Sequence, residues 1–414
     1  MLRMSGSGVL ALALALLLAV IGTTRRVEAQ SETVLHFFAG APADGAAPFA
    51  GLIRDSAGNF YGITESGGPS RNCFAVPPGG CGVVFKIDST GKETVLYSFK
   101  GGTTDGANPV ASRLIRDSSG NFYGTTSGGG TSGKGVVFKL ALTGKETVLH
   151  NFKGGTTDGA VPTAGLIRDS AGNLYGTTLY GGASHKGVVF KLALTGKETV
   201  LHSFKGAPTD GENPAARLIR DSSGNFYGTT QAGGASNDGV VFKLALTGKE
   251  TVLHSFKGGT ADGKFPFAGV IRDSVGNLYG TAGLGGASNN GVVFKLALTG
   301  KETVLHFFAG APNDGASPSA GLIRDSAGNL YGATFEGGDG PCNAGFGCGV
   351  VFKIDPTGKE TVLHNFAGPP ADGENGNDLI RDSAGNLYGT TIVGGIETGS
   401  CTDNGCGVVF KLSP

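Results

Sequence analysis

An all-β, seven-bladed β-propeller of four-stranded antiparallel blades is predicted by three observations. One unit recurs seven times, each unit holds four short β-rich runs, and the chain is cut between the third and fourth runs of a unit. The string GVVFKLALTGKETVLH stands unchanged at Gly135, Gly187, Gly239 and Gly291, each copy 52 residues after the last. The triplet Arg-Asp-Ser marks every unit, beginning at Arg54, Arg116, Arg168, Arg220, Arg272, Arg324 and Arg381.

Within one copy the four runs are Gly165 to Asp169, Leu174 to Thr178, Gly187 to Leu192 and Glu198 to Phe204, here named a to d. Val, Ile, Phe, Tyr and Thr dominate them, as a pleated and half-buried surface requires, and helical periodicity is absent. Asp169-Ser-Ala-Gly-Asn173 between a and b reads as a tight turn, with Asp to accept N–H groups and Gly to take positive φ. Between c and d, Leu-Thr-Gly-Lys alternates with Asp355-Pro-Thr-Gly-Lys359, a second hairpin. The chain opens on a lone d run, Glu32 to Phe38, and closes on a lone c run, Gly407 to Leu412. The N-terminal strand is therefore expected to complete the last blade and pair its open edge.

Residues 1–29 read as a signal peptide: basic Arg3, an apolar run from Val9 to Ile21, and Val27 and Ala29 before a cut at Gln30. Residues 30–414 are then one propeller domain, expected to be exported to an extracellular or periplasmic space, monomeric and without membrane insertion. No anchoring tail is visible, so free release is expected. Lys plus Arg and Asp plus Glu balance at 33 each, which argues against a nucleic-acid partner. Six cysteines in an exported chain point to disulfides before metal or redox chemistry.

The runs DSAGNLYGTT, then GG, then GVVFKLALTGKETVLHSF and DG resemble the GloVer tandem-repeat proteins, exported proteins named for their variable anchors. The likeness covers residues 31–414 and implies a fold and export, with no established activity. More distantly, DSAGNLY followed by a turn and GK is similar to NHL and lactonase-type propeller repeats, from which Gly124 and its equivalents depart.

Alternating strand directions put the d–a and b–c connections on one face and the tight turns on the other. Between the Gly-Gly pair and the GVVFK glycine stand 13, 10 and 11 residues in repeats 1, 6 and 7, against 4 or 5 elsewhere. Those repeats become neighbours once the ring closes, so one sector carries the extra chain. Every cysteine lies there, expected to pair as Cys73 with Cys81, Cys342 with Cys348 and Cys401 with Cys406. The spacings match no zinc ligand set. Phe74, Asp339, Phe346, Glu397 and Asp403 on these insertions, with Glu374 and Asn375 beside them, are the candidate contacts of a partner site.

Six d–a connections carry Pro, from Pro48 to Pro318, but the seventh reads Asp372-Gly-Glu374-Asn375-Gly376-Asn377-Asp378. Its oxygens make Asp372, Glu374, Asn377 and Asp378 a candidate Ca²⁺ set, with a polar turn as the alternative. No other cofactor is expected. The aspartates before Gly in every d–a connection, Asp44 to Asp372, read as turn residues. The seven Arg-Asp-Ser arginines read as inter-blade pairs, and six strand-d histidines with Tyr97 in the seventh place read as packing or hydrogen-bonding groups. Arg113, Arg217 and Asp378 are the unrepeated charges at the entrance to strand a. The expected function is binding or scaffolding without catalysis, toward a protein or a polysaccharide. A lactonase- or lyase-like enzyme at the channel entrance and a structural cell-surface role are the alternatives.

Overall fold

The computed structural model describes residues 31–73, 79–110, 113–397, 399–402 and 404–414; the signal-peptide reading therefore lies outside the described residues. No helix among them is long and apolar enough to cross a membrane. The chain folds into a seven-bladed propeller of four-stranded antiparallel sheets ordered a-b-c-d. In blade 3 these strands are Ile167–Arg168, Leu174–Thr178, Val188–Leu192 and Glu198–Ser203. Strand a is shorter than the sequence predicts. Asp169 instead closes the turn, its carboxylate accepting the Asn173 backbone N–H at 2.8 Å and the Tyr175 hydroxyl at 2.9 Å.

The ring closes as expected. Ser31–Phe37 pairs antiparallel with Val408–Ser413 and serves as strand d of blade 7. Among the described residues seven apolar clusters hold the ring together, each joining adjacent blades; the one between blades 7 and 1 unites Phe38, Tyr388 and Val409 with Phe60 and Phe85. Gly124, which departs from the lactonase-type pattern, has a packing reason. A Cβ there would sit 2.7 Å from the Phe138 ring, and the same ring meets Phe99 edge-on at 5.1 Å. Glycine in strand b is what admits the aromatic of strand c.

A feature absent from the sequence reading lies on the loop-bearing face. In blades 1 to 6 a two-residue ribbon joins the d–a connection to the end of strand b, as Gly159–Ala160 does with Tyr180–Gly181. In blade 7 the proline is gone, and Gly373–Gly376 pairs directly with an eight-residue strand b, Leu387–Gly394. Proline cannot donate to a ladder, so its loss lets the ribbon merge with the blade.

Candidate functional site

The mouth of the central channel is built on that ribbon. In the d–a connection one residue per blade takes a left-handed backbone with φ between 54° and 61°: Ala47, Asn108, Val161, Asn213, Phe265, Ser317 and Asn375. Such φ costs a non-glycine residue roughly 1–3 kcal/mol, so something must hold it. Two hydrogen bonds do. The Val161 N–H donates to Lys134 O of the preceding blade at 2.9 Å, and Val161 O accepts the Leu179 N–H at 3.1 Å. The bonds common to the blades are backbone, so the side chain on the clamp can vary; where it is Asn, at Asn108, Asn213 and Asn375, its Nδ2 also donates to a carbonyl of the preceding blade.

They do vary. The residue after the proline reads Phe49, Val110, Thr163, Ala215, Phe267 and Ser319; the fourth after the strand-b tyrosine reads Glu65, Ser127, Leu179, Gln231, Gly283, Phe335 and Ile392. In repeats that share a 16-residue identical string, these columns differ in nearly every copy. All six of the first column line one cavity of about 410 Å³, with Leu179, Gln231, Phe335 and Ile392 of the second. That size suits a small molecule or one protruding group of a larger partner. Burial pushes the Glu65 carboxyl above its ordinary value.

At the floor, the residue before each Leu-Ile-Arg or Val-Ile-Arg forms the innermost ring: Gly51, Arg113, Gly165, Arg217, Gly269, Gly321 and Asp378. Three of the four glycines are demanded by close neighbours. A Cβ on Gly165 would stand 2.8 Å from the Arg113 carbonyl, one on Gly269 2.5 Å from the Arg217 carbonyl, and one on Gly51 2.6 Å from the Asp378 side chain. Arg113, Arg217 and Asp378 line the 410 Å³ cavity. Both arginines also line a second cavity of about 330 Å³ beside Arg54, Asp55 and Tyr61, so they form the waist between the two ends. Arg217 Nε donates to Leu166 O at 3.3 Å, and Asp378 accepts the Gly321 N–H at 2.6 Å. Burial and the like charge of Arg113 pull the Arg217 guanidinium below its ordinary value, with Asp378 opposing.

The three disulfides form as predicted, Cys73–Cys81, Cys342–Cys348 and Cys401–Cys406. Each lies over a glycine of the following d–a connection, Gly101, Gly368 and Gly40. The carbonyls of Cys81, Cys348 and Cys406 also accept the clamp N–H groups of Asn108, Asn375 and Ala47, so the staples reach the mouth through the backbone. Asp339, Phe346 and Glu397 are exposed on this rim, Phe346 at 65%. Phe74 and Asp403 lie outside the described residues.

The proposed calcium residues are dispersed. Asp372 accepts the Ala367 and Gly373 N–H groups and faces His364 Nε2 at 3.2 Å. Asn377 Nδ2 donates to Pro48 O at 2.8 Å, Asn375 Nδ2 donates to Phe335 O at 2.6 Å, and Asp378 turns to the axis. Glu374 is buried. The three carboxylates of the loop do not gather; among the described residues the set of three acid and imidazole groups that come within 4.8 Å of one another is Glu32, His364 and Asp372.

That trio is structural, because its equivalents recur between blades. His150 faces Asp158 at 3.4 Å, and Glu198 of the next blade lies against both. Of the Arg-Asp-Ser arginines, Arg116 makes the expected inter-blade pair, reaching Asp55 at 3.6 Å and lying 5.3 Å over Tyr61, while Arg54, Arg220, Arg272, Arg324 and Arg381 lie over the tyrosine of the preceding blade at 5.8–6.0 Å. Sequence reasoning weighed the axial charges and missed the variable columns. A column-by-column comparison of the seven copies carries that signal.

The sequence profile of the Gloeobacter/Verrucomicrobia repeat matches residues 21–222, 75–289 and 266–414. No curated protein matches the chain. Among solved structures, a streptogramin B lyase is similar over 93% of this chain and 97% of its own, with TM-score 0.57 and 14% identity. The extracellular domains of two hybrid two-component systems from B. thetaiotaomicron are similar at TM-scores 0.53 and 0.50 and 14% and 16% identity. They match 93% and 88% of this chain and 42% and 45% of their own.

Proposed function

The chain belongs to the Gloeobacter/Verrucomicrobia repeat family, and from that footing we propose that it is an exported, non-enzymatic binding module. Its partner, a protein or a polysaccharide, docks on the face that carries the d–a and b–c connections, with the channel mouth at its centre. One observation carries this reading. The columns in which near-identical repeats diverge converge on a single cavity, and the three stapled insertions stand on neighbouring blades of the same face. A constant backbone clamp bearing variable side chains is economical for recognition, because each contact can change without refolding the blade. The disulfides and the fold likeness to extracellular domains fit a site outside the cytosol.

The test exchanges one repeat's loop for another's. Replacing the insertions of repeats 1, 6 and 7 with Ala183-Ser-His185-Lys186, the connection of repeat 3, yields a ring without the decorated sector. Screened on glycan and protein arrays beside the parent, this variant is expected to stay folded and lose capture. A folded variant that captures the same partners overturns the reading.

A further inference from the structure

We propose that the channel mouth seats an organic anion, a carboxylate carried on an aromatic or aliphatic body, with the carboxylate on Arg113 and Arg217 at the waist. The inference rests on the binding reading for the face it uses, and adds the chemistry of the group that enters.

Three observations converge on it. The ring before strand a is glycine in four blades, and the two blades with a cation are the second and fourth, separated only by Gly165. Both guanidiniums therefore stand at nearly adjacent positions in one narrow waist, where they line the same two cavities and the charge of Arg113 disfavours that of Arg217. Second, among the described residues no carboxylate comes within 4.0 Å of either guanidinium, whereas the repeated Arg116 reaches Asp55 at 3.6 Å. Asp378 faces the same waist, but one of its oxygens is held by the Gly321 N–H. Two cations against one anion leave the floor positive, and a partly desolvated guanidinium pair is relieved by an anion that accepts from both. Third, most of the wall above is apolar: Phe49, Val110, Phe267, Phe335, Leu179 and Ile392 line the same cavity, with Thr163, Gln231 and Ser319 as polar members between them. A bare inorganic anion would leave those side chains without a partner, and a neutral apolar body would leave the guanidiniums without one. A molecule with both ends fits within the cavity of about 410 Å³ and meets both the guanidiniums and the apolar side chains.

The probes are 3-phenylpropionate, its amide 3-phenylpropionamide, octanoate and inorganic phosphate, titrated calorimetrically into the full exported chain. The carboxylates are expected to bind, the amide at least about tenfold more weakly. The variant is Arg113→Gly with Arg217→Gly, since glycine already stands at this position in four blades and the ring accommodates it. It is expected to bind acid and amide alike, and a second variant, Phe267→Ala with Phe335→Ala, to weaken both while keeping their ratio. Equal affinity of acid and amide for the parent overturns the proposal, as does an unchanged ratio in the double-glycine variant. Phosphate binding alone overturns the apolar body, and no heat with any probe overturns the ligand class. Neither of these last results touches partner capture by the rim, which the loop exchange reads separately.

Discussion

Tyr97 donates its hydroxyl to Asp105 at 2.8 Å, in the place where every other blade sets a histidine against the equivalent aspartate. Over each of these pairs lies a glutamate from the next blade, and all seven, Glu32, Glu93, Glu146, Glu198, Glu250, Glu302 and Glu360, keep one buried oxygen without a hydrogen-bond partner. Burial, then the neighbouring aspartate, pushes Glu93, Glu146, Glu198, Glu250 and Glu360 up from 4.5 to about 7. Between those values the native chain holds more protons than the unfolded one, so stability falls as pH rises through the window. Asp158, Asp210 and Asp372 work elsewhere. Burial opposes their charge, yet the histidines and backbone N–H groups hold them below 3.8, so their contribution is lost only on acidification below the window. The melting temperature is expected to be higher at pH 5.5 than at pH 8. Glu198→Gln, which removes one titrating group, is expected to raise it at pH 8 and reduce the slope. A flat profile would refute the ring of shifted glutamates.

Closure makes Phe38 a core residue, although it lies a few positions from the predicted cut. It is fully buried and meets Phe85 edge-on at 5.1 Å, as Phe204 meets Phe242 at 5.2 Å inside the ring. Phe38→Ala and Phe204→Ala are each expected to cost about 3–5 kcal/mol by denaturant unfolding. A cost near zero for Phe38→Ala alone would show that the first strand is not docked.

The staples are expected to matter little for global stability. A disulfide closing so short a loop contributes about 2 kcal/mol on the chain-entropy estimate, small beside seven inter-blade cores. Cys342→Ser with Cys348→Ser should leave a folded ring by circular dichroism and increase hydrogen exchange at the Asn375 N–H, which donates to the Cys348 carbonyl. Protection unchanged at Asn375 would separate the staple from the clamp.

The axial ring predicts an asymmetry between two small changes. Gly269→Ala puts a methyl 2.5 Å from the Arg217 carbonyl, a backbone atom that cannot swing aside, and is expected to cost about 1–3 kcal/mol. Arg217→Gly removes a much larger side chain, yet relieves a like-charge contact and is expected to leave the melting temperature unchanged or raise it. The reverse order would refute the crowding at the waist.

The blades, their count, the closing strand and the three cysteine pairs were legible in the sequence, because each rests on local pattern: period, turn residues, and spacing within one loop. Strand a was read too long, since Gly165 and Asp169 resemble strand ends but serve the axis and the turn. Residues 372–378 show a deeper difficulty. Asn, Asp and Glu in one loop look like a ligand set, while Asn375, Asn377 and Asp378 reach across to Phe335, Pro48 and Gly321, contacts with sequence separations of 40, 329 and 57. No local pattern reports a partner that distant. The inter-blade glutamates were invisible for the same reason.

The pairing of Val34 with Phe410 also fixes an order of events. This early strand finds its partner only when the last one has been made, so throughout synthesis Ser31–Phe37 waits as an unpaired edge while six blades are complete enough to form. Ser31, Glu32 and Thr33 make the first half of that strand polar, which helps it wait in water. Propeller assembly thus ends at its own beginning, and an encounter between two unclosed chains would join the first strand of one to the last of the other, a swapped dimer that dilution during refolding disfavours.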